Sequence, residues 1–181
     1  DHQKIIKAWL GTGSINIFGP QFAGKDTQGQ MLVDTFGGSL VGGGDVIRNS
    51  VVPKHVMEMH DQGKLVPIRD YINIILPYLA RPEFSGNPLI LSAVGRWQGE
   101  EKGVLQALKE ARHDLKAVIY LTLDEEIVWQ RWEVHDKIGD RGKRGDDTRE
   151  GLATRLDEFK NKTLPVIDFY RNMGVLIEID G

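Results

Sequence analysis

The segment Ser14-Ile15-Asn16-Ile17-Phe18-Gly19-Pro20-Gln21-Phe22-Ala23-Gly24-Lys25-Asp26-Thr27 constrains the fold more than any other. Ile15, Ile17 and Phe18 make a short apolar run that reads as a buried strand. A Gly-x-x-x-x-Gly-Lys loop follows, and Gln28, Met31, Leu32 and Phe36 then recur at helical spacing. Strand, glycine loop with a lysine, and helix start in this order form a phosphate-cradling loop. Glycines let successive backbone N–H groups converge on oxyanions, and the helix N-terminus adds partial positive charge. Lys25 supplies a mobile cation for the outer phosphates. Gly19, Gly24 and Lys25 are therefore candidate nucleotide contacts. A plain glycine turn with a solvated lysine would account for the loop, but not for the strand and helix that flank it.

Phosphate loops of this kind carry Ser or Thr directly after the lysine, where the hydroxyl reaches magnesium. Here Asp26 takes that place and Thr27 comes next. A carboxylate beside phosphates repels them unless a cation intervenes. Asp26 either turns away and caps the helix, or joins Thr27 in holding Mg2+.

A chain of 181 residues suits one domain with one sizeable core. A net charge of −3 without a dense basic run argues against a nucleic-acid binder. The absence of cysteine excludes disulfides and thiolate metal sites and is compatible with a reducing compartment. No apolar run approaches membrane-spanning length, and no signal-peptide pattern is visible. The expectation is a cytoplasmic monomer with neither membrane nor nucleic acid as partner.

The remaining pattern alternates strands and helices. Residues 2–10 predict an amphipathic helix, 14–18 a strand and 24–36 a helix. Ser39-Leu40-Val41 predicts a second strand, after which Asp45 caps a helix holding Ile47 and Arg48. Helices are expected over 54–62 and 67–80, the latter kinked or shortened at Pro77. Leu89-Ile90-Leu91 and Ala117–Leu123 read as buried strands, with a helix over 100–112 between them and Asp124 capping the helix that follows. His135–Asp147 is polar and charged and reads as a mobile loop. A helix over 147–171, bent at Pro165, leads to a last strand at 175–179. This alternation implies an α/β fold, three-layer αβα, with a parallel five-stranded sheet.

Arg48, Arg96, Arg131, Arg144 and Arg155 each lie near an element boundary. Arg96 follows the strand Leu89–Leu91 at its carboxyl end, the edge along which open parallel sheets bind ligands. Several guanidiniums there suit phosphoryl transfer, in which charge spreads over the equatorial oxygens of the migrating group. Any one of them alone is better explained as a surface ion pair; five at such stations, with the loop, are not.

These motifs resemble those of adenylate kinases and related nucleoside-monophosphate kinases, from about Ile15 to Gly181. The matching segments are Gly19–Gln28, Gly44-Asp45-Val46-Ile47-Arg48, Gly63-Lys64-Leu65-Val66-Pro67, Arg144-Gly145-Asp146-Asp147, Arg155-Leu156 and Thr163–Tyr170. The resemblance implies a P-loop NTPase-like fold in one domain, 1–181, with an acceptor-binding segment at about 42–80. It also implies a short lid at about 135–147. It implies ATP and Mg2+ as co-substrate and cation, and a nucleoside monophosphate as acceptor. Gly19, Gly24, Lys25, Asp26, Thr27 and Arg131 would face the donor. Gly43, Asp45, Arg48, Lys64, Val66, Arg96 and Glu100 would face the acceptor. Lys25, Arg96, Arg131, Arg144 and Arg155 would stabilise the transferring group, Arg144 and Arg155 also reaching the acceptor, while Asp146 and Asp147 help to close the lid.

The chain departs from that family in Ser92-Ala93-Val94-Gly95-Arg96, where Asp-Gly-Phe-Pro-Arg is usual and the aspartate orders magnesium-bound water. Phe22 replaces a loop glycine, and His135 replaces an arginine. Glu100 stands four residues past the acceptor-binding arginine, where adenylate kinases carry an adenine-reading glutamine. A carboxylate only accepts hydrogen bonds, so it would favour guanine or cytosine over adenine; alternatively Glu100 and Glu101 are an exposed first turn. The sequence thus points to ATP + AMP = 2 ADP. Another acceptor (GMP, CMP or UMP), a non-nucleotide phosphorylated acceptor, and a nucleotide-binding protein with little turnover are the alternatives.

Overall fold

The computed structural model describes residues 1–62, 64, 66–138 and 148–181. Arg144, Asp146 and Asp147 lie outside the described residues, as do Gly63, Leu65 and the expected lid from 139 onward. Among the described residues, five strands form one wholly parallel sheet in the order β2-β3-β1-β4-β5. They are β1 (Ser14–Phe18), β2 (Ser39–Gly42), β3 (Leu89–Ser92), β4 (Leu115–Thr122) and β5 (Leu176–Asp180). The helices are α1 (His2–Leu10), α2 (Lys25–Phe36), α3 (Gly43–Arg48), α4 (Lys54–Asp61), α5 (Ile68–Leu79), α6 (Glu101–Glu110), α7 (Glu125–Ile138), α8 (Arg149–Glu158) and α9 (Leu164–Met173).

β1 lies at the centre and is buried along its whole length. Its alternation sorts the core. Ile15 and Ile17 pack with Leu10, Phe36 and Ile90 under α1 and α2, whereas Phe18 packs with Val118, Val166 and Tyr170 under α9. Leu89 and Leu91 join α5 and α6 in the largest cluster. Helices therefore cover both faces, the αβα arrangement that a parallel sheet requires. β1 and β3 are hydrogen-bonded neighbours, so the phosphate loop and the Ser92–Arg96 turn leave adjacent strands at the same carboxyl edge.

Four local expectations change. Asp45 is not a cap. α3 starts at Gly43 with Gly42 as its cap, and Asp45 lies in the first turn paired with Arg48. His135 is not in a loop, because α7 continues to Ile138. The long helix over 147–171 is interrupted. A five-residue π turn, Phe159–Thr163, separates α8 from α9, and Pro165 falls in the first turn of α9, where its missing N–H costs nothing. Pro77 neither kinks α5 midway nor stops it at once; it lies in the last turn, and the helix ends at Leu79.

Candidate active site

The phosphate loop is held by its own lysine. Lys25 Nζ donates to the carbonyls of Gly19 (2.9 Å) and Pro20 (3.2 Å), crossing the mouth of the loop. α2 has Gly24 as its cap, at φ 89°, a left-handed conformation that glycine adopts without strain. Asp26 therefore does not cap this helix. It lies exposed in the first turn, where a carboxylate complements the helix dipole, and Thr27 is exposed beside it. No group of three or more His, Asp or Glu side chains that could hold a metal occurs among the described residues. Adjacent hard oxygen donors at Asp26 and Thr27 nevertheless suit magnesium, which keeps most of its waters and binds largely through substrate phosphates.

Arg131, on α7, reaches the loop from the other side, its Nη1 donating to the Phe22 carbonyl at 2.8 Å. One helical turn further, the His135 ring stacks on Phe22 with centroids 5.3 Å apart. Phe22 has φ 66°, so a phenylalanine occupies a left-handed position otherwise suited to glycine.

Arg96 and Arg155 make the second cationic station. Arg96 keeps solvent access, yet burial of its guanidinium and then the nearby Arg155 charge lower its pKa below the ordinary arginine range. Glu158 and Glu100 oppose that shift. Guanidiniums within electrostatic reach of one another disfavour each other's charge, which an anion between them would relieve. The turn carrying Arg96 is tied to the π turn by Gln98 N–H donating to the Lys162 carbonyl (2.8 Å). Lys162 Nζ also lies 3.8 Å above the Trp97 ring.

Glu100 is not an exposed first-turn residue. It is half-buried, Oε1 accepts from the Trp97 N–H at 2.9 Å, and burial raises its pKa to about 7 against the pull of that hydrogen bond and of Arg96. Its neighbour Glu101 is buried as well and accepts from the Gly99 N–H at 2.7 Å. Tyr71 on α5 feels the Glu100 charge, which together with burial raises the phenol's pKa.

The other acceptor candidates are less gathered. Gly43 does meet the Arg96 turn, since a Cβ there would fall 2.4 Å from the Ala93 carbonyl oxygen. Arg48 instead bends back to Asp45 (2.5 Å) as an exposed ion pair on α3, and no contact joins it to Arg96. Lys64 is exposed, its backbone N–H bonded to the Met59 carbonyl, and Val66 packs half-buried against the α5–α6 core. The sequence reading missed Asn16. A polar residue amid Ile15, Ile17 and Phe18 was its signal, and its amide proves to be fully buried and bonded to Val94.

A family model described as Adenylate kinase matches residues 17–175. An adenylate kinase of Bartonella bacilliformis is 30% identical, over 92% of this chain and 91% of that protein. One of Leptospira biflexa is 33% identical over 90% and 88%. One of Archaeoglobus fulgidus is 29% identical, also over 90% and 88%. The lysine loop and the paired arginines stand on one sheet edge of a chain so matched along its length. The chain belongs to the adenylate kinase family, phosphotransferases of the nucleoside-monophosphate kinase type.

Proposed function

We propose that this chain moves the terminal phosphoryl group of ATP reversibly to AMP, giving two ADP, with Mg2+ as companion cation. The observation that carries this reading is that the turn bearing Arg96 leaves β3 beside the Lys25 loop that leaves β1, with the Arg155 charge within electrostatic reach of Arg96. Lys25 and the loop amides would hold the donor phosphates, with Arg131 above them. Arg96 and Arg155 would grip the acceptor phosphate and the migrating group between the two stations. Asp26 and Thr27 would hold magnesium together with the substrate phosphates, and the cation would supply charge withdrawal from the phosphate oxygens. The acceptor is an ionised phosphate, so no strong general base is needed. Water is the competing acceptor, and its exclusion is the work of closing segments at about 42–80 and 135–147, with Arg144 joining from the latter. The chain is read as a cytoplasmic monomer; no described helix is long and apolar enough to cross a membrane.

A second reading, another nucleoside monophosphate as acceptor, is favoured by Glu100. With one oxygen taken by Trp97, the other would accept from the cytosine amine or from guanine N–H groups. A coupled assay of ADP formation across AMP, GMP, CMP, UMP and dTMP, with and without Mg2+, tests both. AMP as the fastest acceptor supports the first reading, and CMP or GMP the second. Tight binding of a two-headed dinucleotide inhibitor without turnover refutes both in favour of a nucleotide-binding protein.

A further inference from the structure

An asparagine at the centre of a parallel sheet needs an explanation, because burying an amide is unfavourable unless its hydrogen bonds are made. Asn16 is 0% exposed, on the central strand, between Leu91 of β3 and Val118 of β4. Its Nδ2 donates to the Val94 carbonyl at 2.8 Å, and the Val94 N–H donates to its Oδ1 at 3.3 Å. The side chain thereby satisfies both backbone polar groups of one residue, Val94.

That residue lies just beyond the end of β3. The ladder between β1 and β3 runs to Ser92, and the Ala93 N–H still donates to the Ile17 carbonyl at 2.9 Å. The chain then turns sharply. Ala93 has φ 52° and Gly95 has φ 72°, and Arg96 follows. Ala93 is an L-residue in the left-handed region, which it leaves unless its surroundings hold it. Val94 is buried at 1% between these two residues and is the only one of the turn gripped by a side chain from another strand among the described residues.

We propose that Asn16 is the positioning residue for Arg96. Its amide holds the strained Ala93–Gly95 turn in the one course that sends Arg96 to its place beside Arg155. The inference rests on the phosphate-gripping role given to Arg96 above. Asn16 itself touches no substrate and acts through the Val94 peptide. An apolar residue there would leave the Val94 N–H and carbonyl buried and unbonded, and the turn would relax.

The test is a double-mutant cycle of Asn16→Leu, which nearly conserves volume, with Arg96→Ala. The readouts are kcat and KM for each substrate and ATP affinity by calorimetry. Asn16→Leu is expected to lower kcat/KM for the acceptor by roughly 10²-fold, the scale of a misplaced catalytic group. ATP affinity should change less than about twofold, because the β1 ladder that carries the phosphate loop is intact. In the Asn16→Leu background, Arg96→Ala should cost at least about tenfold less than in the wild type, since coupled residues are not additive. Should Asn16→Leu fail to fold, the pair Asn16→Leu/Ala93→Gly, free of left-handed strain, enters the same cycle. Losses that simply multiply, or a parallel loss of ATP affinity, overturn the inference while leaving the role of Arg96 standing. A near-normal Arg96→Ala enzyme overturns both.

Discussion

Glu100→Gln is the most informative single change, because it probes stability and acceptor choice together. In the folded chain the Glu100 carboxyl titrates at about 7, against 4.5 for a solvated glutamate, chiefly through burial. At 1.36 kcal/mol per pH unit this difference is about 3 kcal/mol. Below pH 4.5 the side chain is protonated in both the folded and unfolded chain, and nothing is lost. Between 4.5 and 7 the unfolded chain releases a proton that the folded one keeps, so stability falls as pH rises, and above 7 the loss is complete. Glutamine preserves the acceptor for the Trp97 N–H and cannot ionise. Urea unfolding of both proteins at pH 4.5, 6 and 8 should therefore show the variant gaining on the wild type with pH, by up to about 3 kcal/mol at pH 8 relative to pH 4.5. Comparing across pH cancels any fixed packing effect of the substitution. In the same preparation at pH 8, where the wild-type carboxyl is mostly ionised and only accepts, the ratio of AMP to CMP turnover should rise, because a carboxamide offers a donor as well as an acceptor. Parallel stability curves from pH 4.5 to 8 would refute a buried, half-neutral Glu100.

Removing Arg96 or Arg155 as alanine should lower kcat by roughly 10³-fold or more, measured by coupled ADP formation; near-normal rates would dissolve the second cationic station. Asp26→Asn should raise the Mg2+ concentration for half-maximal rate, and an unchanged magnesium curve would leave Asp26 with only its helix-dipole role. Gly43→Ala brings a Cβ to 2.4 Å from the Ala93 carbonyl oxygen, so the backbone must shift. A loss of about 1–3 kcal/mol in urea unfolding and a raised acceptor KM are expected, and a neutral variant would contradict the contact. Tyr170→Phe removes a buried hydroxyl without a hydrogen-bond partner among the described residues, so thermal unfolding should be unchanged or improved by up to about 3 kcal/mol; a clear loss would mean the hydroxyl is bonded after all.

The β1–loop–α2 unit was legible because everything that defines it lies within 23 consecutive residues, Ser14 to Phe36. The misread segments depend on remote partners. Residues 135–138 look like loop because His135, Asp136 and Lys137 are polar. α7 nevertheless continues there, with the His135 ring resting on Phe22 of the phosphate loop. α3 begins before Asp45 because Gly43 lets its first turn approach the Ala93 backbone, a contact across 50 residues. Glu100 beside Glu101 reads as a solvated pair, and only the fold buries them under α5 and α9, near Tyr71 and Tyr170. The site residues named from the sequence fall into two groups for the same reason. Lys25, Arg131, Arg96 and Arg155 are carried by elements that the sheet places at one edge. Arg48, on α3, pairs instead with its own neighbour Asp45, and Lys64 is exposed.

The departures at Phe22 and Ala93 are physically alike. Each puts an L-residue in the left-handed region beside the cleft, at φ 66° and φ 52°, at a cost of about 1–2 kcal/mol apiece. Each is also gripped from a distant element: Phe22 by the Arg131 hydrogen bond and the His135 ring, Ala93 through the Asn16 amide on the next residue. The third such residue among those described, Arg112, has φ 64° just past the Ala111 cap of α6, where left-handed residues commonly close a helix, and its carbonyl accepts from Thr12 Oγ1 at 3.2 Å. Each of these left-handed L-residues is thus met, at its own backbone or its neighbour's, by a side chain from a distant element. Two substitutions that look disabling in the sequence therefore leave the loop and the arginine turn fixed, provided that Arg131, His135 and Asn16 stay with them. Exchanging Phe22 or Ala93 for glycine should be far milder than removing the clamp that faces it.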